Sequence, residues 1–258
     1  MKYATNDIEK SFAHAKHYDD FAVIQPIAAN LLTEIIPSRL RSKKIQRILE
    51  LGAGTGALTQ KIAPLFPYAE YVCTDLSKEM LRRAERKTKH LGLNLSFLPL
   101  DMENFPKHLT KEHPLAGKFD LIISNLAFQW VQNRPIALEN IYTKLDVGGA
   151  AFLTTLLDGS LQEWRYACEI SENPCAVPLY PSVAELETEY AQAKWKRYQI
   201  QEEVKNAISF LKGLKEIGAT PKNLNSGQKS QKLKSAIHFF DRHYQKVSYE
   251  IGLGEIYK

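Results

Sequence analysis

Three glycines on alternate positions, Gly52-Ala53-Gly54-Thr55-Gly56, close the apolar run Ile48-Leu49-Glu50-Leu51. A glycine turn between strand and helix lets a ligand lie against bare backbone, and the helix N-terminus beyond it favours a negative group. That combination suits a small-molecule cofactor. Next, the run Tyr71-Val72-Cys73-Thr74 ends in Asp75, 21 residues past Gly54. An acid about that far along, at the tip of the next parallel strand, can accept hydrogen bonds from both hydroxyls of a ribose. The alternative use of Asp75 is as an N-cap for the helix carrying Met80, Leu81 and Ala84, a position that Ser77 also suits. A third run, Leu98-Pro99-Leu100, ends in Asp101-Met102-Glu103.

Dinucleotide-binding turns follow G-x-G-x-x-G, whereas the spacing here is G-x-G-x-G behind the acidic Glu50. This pattern resembles motif I of the seven-stranded, class I S-adenosylmethionine (SAM)-dependent methyltransferases. The resemblance implies that the amino-acid end of SAM occupies the turn of Glu50, Gly52, Gly54 and Gly56. It also implies that Asp75 and Leu76 meet the ribose, that Asp101 meets the adenine amine, and that Met102 covers the ring. The seven histidines show no paired ligand spacing on a shared helix, so no metal is expected.

The elements that must position these residues alternate. Strand-like runs at Arg47 to Leu51, Tyr71 to Thr74, Leu95 to Leu98, Phe119 to Ser124 and Ala150 to Leu156 are separated by helical stretches. Those stretches lie near Leu58 to Phe66, Lys78 to His90 and Pro135 to Leu145, the last closed by Gly148-Gly149 as a helix exit. Two further strands are expected near Lys194 to Glu202 and Ser248 to Tyr257. The rhythm argues for an α/β fold: a Rossmann-like, mostly parallel seven-stranded sheet with helices on both faces. One domain is expected over 1–258. Residues 1–40 read as an N-terminal helical lid, and 158–190 and 218–244 as inserted helical caps that shape a substrate and partner pocket over the strand tips.

The fourth strand continues as Ser124-Asn125-Leu126-Ala127-Phe128-Gln129-Trp130. This S-N-x-A-x-Q-W run is similar to the malonyl-acyl-carrier-protein O-methyltransferases of biotin synthesis, more so than to methyltransferases at large. Ser11-Phe12 with Tyr18-Asp19, Phe152 to Leu156 with Leu161 to Arg165, and Phe210 through Thr220 resemble that family's N-terminal helix, fifth strand with its following helix, and late L-K-x-I-G-A-T signature. Two departures stand out: Ala53 replaces the family's usual cysteine, and Ser171 to Pro181 matches loosely.

The resemblance implies methyl transfer from SAM to the free carboxylate of a malonyl thioester on acyl carrier protein, with S-adenosylhomocysteine (SAH) as by-product. Such a carboxylate is already ionised at pH 7, so no general base is required. Arg165 is the candidate for a fork-like carboxylate contact, against its alternative as a solvated helix arginine. Tyr18 is the candidate hydroxyl donor at the methyl-transfer centre, or else a core aromatic. Asn125 and Gln129 are expected as polar liners near the methyl donor, Asn125 also touching the cofactor. Two other readings share the glycine turn and Asp75: a methyltransferase for another small carboxylate or a quinone precursor, and a non-catalytic assembly factor. Retention of Gly52, Gly54, Asp75 and Asp101 argues against the second.

Composition sets outer bounds. The 258 residues are 44% apolar, enough for one large core. No 18-residue apolar run occurs and Met1 to Asp7 lacks a signal-peptide core, which predicts a cytoplasmic protein without membrane association. Cys73, Cys168 and Cys175 show neither disulfide nor zinc spacing, and Cys73 reads as an inert core residue. From Lys194 to Lys258, thirteen Lys or Arg stand against six Asp or Glu, although the whole chain carries only +5. This basic third suits an acidic carrier protein, with Lys212, Lys215, Lys229, Lys232 and Lys234 as candidates. A nucleic-acid partner is not expected, because no basic stretch is interleaved with stacking aromatics.

Overall fold

The structure, a computed structural model, describes residues 5–40, 44–219 and 231–258. Lys229 and Thr220, named above, lie outside the described residues. Helices α1 (Thr5–Ala13), α2 (Tyr18–Phe21) and α3 (Ile24–Arg39) precede β1 (Arg47–Leu51). Then come α4 (Thr59–Ile62), β2 (Glu70–Asp75), α5 (Lys78–Thr88), β3 (Leu95–Pro99), β4 (Phe119–Ser124), α6 (Arg134–Lys144) and β5 (Leu145–Leu156). The remainder is α7 (Gln162–Ile170), α8 (Val183–Glu189), β6 (Lys194–Glu203), α9 (Ala207–Glu216), α10 (Gln231–His243) and β7 (Lys246–Tyr257).

The sheet order is β3-β2-β1-β4-β5-β7-β6. Strands β1 to β5 are mutually parallel, and β7 inserts antiparallel between β5 and β6. Both faces are buried, which is why the central strands read as continuous apolar runs. Side chains of alternate residues enter two separate cores. Leu49, Leu51, Val72, Ile122 and Leu153 pack on one face, and Ile48, Tyr71, Cys73, Leu121 and Phe152 on the other. Cys73 is fully buried, and burial pushes its thiol up, as an inert core position requires. Helix α5 shows how a covering helix is specified: Met80, Leu81, Ala84 and Thr88 form its buried face, and the Ser77 side chain accepts the Met80 N–H at 3.3 Å as N-cap. The cap therefore falls to Ser77, leaving Asp75 for other work.

The seven strands and their order of appearance agree with the sequence pattern. One local expectation is corrected. Gly148-Gly149 is not a helix exit but part of β5, which starts directly where α6 stops. The β4–β5 register shifts between Phe119 and Leu121 at this point. A Cβ on Gly149 would lie 2.8 Å from the Asp146 carbonyl oxygen and 3.1 Å from that of Phe119, so the pair serves a crowded bulge. Inserted helices α7, α9 and α10 build a third core beyond the sheet, where Trp164, Phe210 and Phe240 pack ring against ring at 5.9 to 6.4 Å. Among the described residues, no helix is long and apolar enough to cross a membrane.

Candidate functional site

The tips of β1, β2, β3 and β4 converge on one cleft of about 770 Å³, its open mouth included. Gly52, Gly54 and Gly56 all take left-handed backbone, at φ +70°, +55° and +83°. Each does a different job. A Cβ on Gly52 would sit 2.3 Å from that of Ala127, and one on Gly56 would press on Ala84 and Thr88 of α5 at 3.2 to 3.3 Å. At Gly54 a Cβ would meet nothing within 4 Å, so the turn leaves open room above its backbone for a ligand.

Asp75 lies directly against this opening. One carboxylate oxygen accepts the Gly54 N–H at 2.9 Å and the other the Ser77 N–H at 2.8 Å. Each oxygen keeps a lone pair, so a diol remains acceptable there. Burial raises its pKa and the two backbone bonds oppose that rise. Asp101 is held by the Glu103 N–H at 2.9 Å and the Asn104 side chain at 2.8 Å, and it lines the same cleft with Leu76 and Met102. Acceptors able to meet a ribose and an exocyclic amine thus stand on successive strand tips, with the apolar Met102 in the same cleft. The residues fit a nucleoside cofactor.

Glu50 differs from its expected place. It is 1% exposed and does not line this cleft. Its carboxylate accepts the Tyr71 hydroxyl at 2.6 Å and the Thr59 hydroxyl at 2.7 Å, tying β1 to β2 and α4. Burial pushes its pKa up to about 7 against those two hydrogen bonds. Here the acid before the glycine turn is a buried brace. A separate hollow beyond the turn touches both Glu50 and Gly52.

Helices α1 and α2 lie against the cleft as one N-terminal segment. Thr5, Ile8, Glu9 and Phe12, at helical spacing, turn one face of α1 into it. The segment is latched by Asp19, which accepts the Thr55 hydroxyl at 2.6 Å and pairs with Lys87 at 2.7 Å, and by Arg83 donating to the Ala15 carbonyl at 2.6 Å. Glu9 escaped the sequence reading, although the i, i+3, i+4, i+7 pattern with Thr5, Ile8 and Phe12 carries it.

A second cleft, about 1200 Å³ with its mouth, opens on the other side of a shared wall made by Phe12, Tyr18, Leu126 and Trp130. Phe12 packs edge-on against both Trp130, at 5.5 Å, and Tyr18, at 6.3 Å. Burial, then the charges of Asp75 and Asp19, raise the Tyr18 pKa, so its hydroxyl stays protonated and can donate. The corner after β4 is fixed by hydrogen bonds. Asn125 donates to the Gln25 carbonyl and accepts the Thr154 hydroxyl, each at 2.9 Å, while Thr154 also accepts the Leu126 N–H at 2.9 Å. These bonds hold Leu126 at φ +49°, a strained value for leucine. Gln129 donates to the Leu126 carbonyl at 2.6 Å, and among the described residues its buried amide oxygen has no partner. Asn125 therefore clamps the corner, and Gln129 lines the second cleft.

Arg165 lines neither cleft. Its guanidinium donates to the Ser160 carbonyl at 3.3 Å and to the Pro178 carbonyl, and stands 6.0 Å from the Tyr180 ring. Pro178 and Tyr180 do line the second cleft, so Arg165 sits behind its wall. The expected fork toward an acceptor carboxylate is replaced by a brace on the loop. Across the cleft, Tyr249 donates to Glu202 at 2.7 Å, a pair that the sequence pattern gave no reason to select.

The methyltransferase domain family matches residues 49–151, which run from within β1 into β5 and include the tips of β1 to β4. The biotin biosynthesis bifunctional protein BioCD of Bordetella avium is 32% identical over 96% of this chain, which spans only 51% of that longer protein. The malonyl-[acyl-carrier protein] O-methyltransferase 2 of Ilyobacter polytropus is 30% identical over 82% of this chain and 79% of its own length. Among solved structures, the plantazolicin methyltransferase BpumL in complex with SAH superposes with a TM-score of 0.54, covering 98% of this chain and 97% of that one at 16% identity. The two clefts that meet behind Tyr18 are thus set in a class I methyltransferase fold, and by its likeness to the Ilyobacter enzyme the chain belongs to the malonyl-[acyl-carrier protein] O-methyltransferase family.

Proposed function

We propose that the protein methylates the free carboxylate of a malonyl thioester on acyl carrier protein with SAM, giving the methyl ester and SAH, as an early step of biotin synthesis in the cytoplasm. The observation that carries this reading is the meeting of the cleft lined by Asp75 and Asp101 with a larger cleft at one shared wall of Phe12, Tyr18, Leu126 and Trp130. A methyl group can cross only where donor and acceptor touch, and that wall is the place.

Bound SAM supplies an electrophilic methyl on a positively charged sulfur. Asp75 holds the ribose, Asp101 the adenine amine, Met102 the ring, and the backbone at Gly52 and Gly54 the amino-acid end. Tyr18 closes the wall from the lid side, and its protonated hydroxyl steadies an acceptor oxygen without drawing off its charge. Asn125 fixes the corner on which Leu126 and Gln129 stand. Arg165 is a positioning residue that braces the 178–180 wall. Catalysis then rests on alignment and water exclusion, since the carboxylate needs no base. Transfer would turn a carboxylate and a sulfonium into an ester and a thioether, and these uncharged groups suit apolar surroundings better than the two ions.

Helix α9 ties the acceptor cleft to a partner. Phe210, Gly213 and Leu214 face the cleft, Lys212 and Lys215 are exposed on the helix, and Lys205 stands exposed at the rim just before it. An acidic carrier docked there would direct its acyl arm inward. Lys232 of α10 is already paired with Glu172 at 2.9 Å, which makes it a weaker docking contact. The test is a mass-spectrometric assay with purified protein, SAM and malonyl-carrier. A gain of one methylene mass on the acyl arm is expected, with no methylation of free malonate; methylation of free acids alone would refute the carrier reading.

A further inference from the structure

The cofactor cleft is lined by four carboxylates, Glu9, Asp75, Asp101 and Glu103, and among the described residues no Lys, Arg or His lines it. Three of the four have backbone partners. Asp75 holds Gly54 and Ser77, Asp101 holds Glu103, and Glu103 itself accepts the Gln132 and Asn133 N–H groups at 2.8 and 2.9 Å. Glu9 is the exception: among the described residues no hydrogen bond or ion pair engages its carboxylate. It is also the one supplied by the lid, on the face of α1 that carries Ile8 and Phe12 into the cleft. Its negative charge is close enough to bear on Asp75.

An unpaired carboxylate facing three others is repelled unless something positive arrives. The two states of the cofactor differ in that respect. SAM carries a sulfonium, an ammonium and a carboxylate, a net charge of +1, whereas SAH has lost the sulfonium charge and is neutral overall. We propose that Glu9 is a charge-reading residue of the lid: it favours closure over the cationic methyl donor and ceases to do so once the methyl has left. This inference rests on the cofactor reading above and deepens it. Methyl transfer would remove one positive charge beneath α1 and leave Glu9 facing Asp75, Asp101 and Glu103 with a cofactor that is neutral overall. The lid then loses part of what held it shut, and the spent cofactor leaves through the same opening.

Calorimetric titration of the full chain with SAM, SAH and sinefungin, an analogue with an ammonium group where SAM has its methylsulfonium, tests this. For a unit charge partly screened by water, Glu9→Gln is expected to weaken SAM and sinefungin about threefold to tenfold at low salt. SAH should change by less than about twofold, which also shows that the variant is folded. The difference should shrink as sodium chloride is added. Glu9→Asp, which keeps the charge, should keep most of the preference. Equal weakening of all three ligands would assign Glu9 to packing or hydrogen bonding and overturn the inference, as would no change in any. A wild-type protein that takes up none of the three would overturn the cofactor reading itself, and the inference with it.

Discussion

Glu50 offers a quantitative test of how the site is braced. It is buried between Tyr71 and Thr59, with its pKa pushed from 4.5 to about 7. Because the folded value lies above the unfolded one, the folded state disfavours the ionised form. Stability from this group is therefore full below about pH 4.5 and falls as pH rises through about 7. At about 1.4 kcal/mol per pH unit, the whole loss amounts to about 3 kcal/mol, of which about 2 to 3 kcal/mol falls between pH 5 and pH 8.5. Glu50→Gln removes the titration while keeping a carbonyl oxygen to accept both hydroxyls. The assay is urea unfolding of both proteins across that pH range, taking the difference in unfolding free energy at each pH so that other titrating groups cancel. The variant should gain on the wild type by about 2 to 3 kcal/mol from the acid to the alkaline end. Parallel curves would refute the reasoning and mean that Glu50 ionises freely, through water reaching the hollow beyond the glycine turn.

Other outcomes follow from the same geometry. Asp75→Ala should weaken SAM binding by about 1.5 to 3 kcal/mol, read by calorimetry, for the loss of a charged acceptor, and should also lower the unfolding midpoint because Gly54 and Ser77 lose their partner. Gly52→Ala should destabilise the fold by about 2 kcal/mol or more in denaturant unfolding, since its Cβ meets Ala127 and its φ is positive; adding Ala127→Gly should restore only the steric part. Arg165→Ala should raise KM for malonyl-carrier with SAM affinity unchanged, through a loosened 178–180 wall. A purely kcat effect would return Arg165 to direct contact with the acceptor.

The sheet and the acids at its strand tips were legible because each follows from a local rule. Apolar runs buried on both sides mark β1, β2 and β4, and the residue just past each run must stand at the strand tip, which places Gly52, Asp75 and Asn125. Glu50 was misplaced because its partners, Thr59 and Tyr71, come from elements whose packing no local pattern displays. Gly148-Gly149 misled for a related reason: glycines suit a helix exit and a crowded bulge alike, and only the neighbouring backbone of Phe119 and Asp120 decides. Arg165 carried the right charge in the right region, yet its direction is set by carbonyls of a loop with no regular pattern. The acceptor cleft was the least legible part, being assembled from α2, α3, α9 and the 177–180 loop around a cavity that none of them implies alone.

The position of the shared wall divides the chain in a way that matters for its history. Everything lining the cofactor cleft lies before Gln132, whereas the acceptor cleft, besides the shared wall, Gln129 and Asp20 to Gln25, is drawn from Leu156 onward. Drift in the later segments can reshape what is methylated without disturbing the machinery that supplies the methyl group. The loosely matching stretch from Ser171 to Pro181, which contributes Val177, Pro178 and Tyr180 to the acceptor cleft, is where such a lineage can explore new acceptors at least risk.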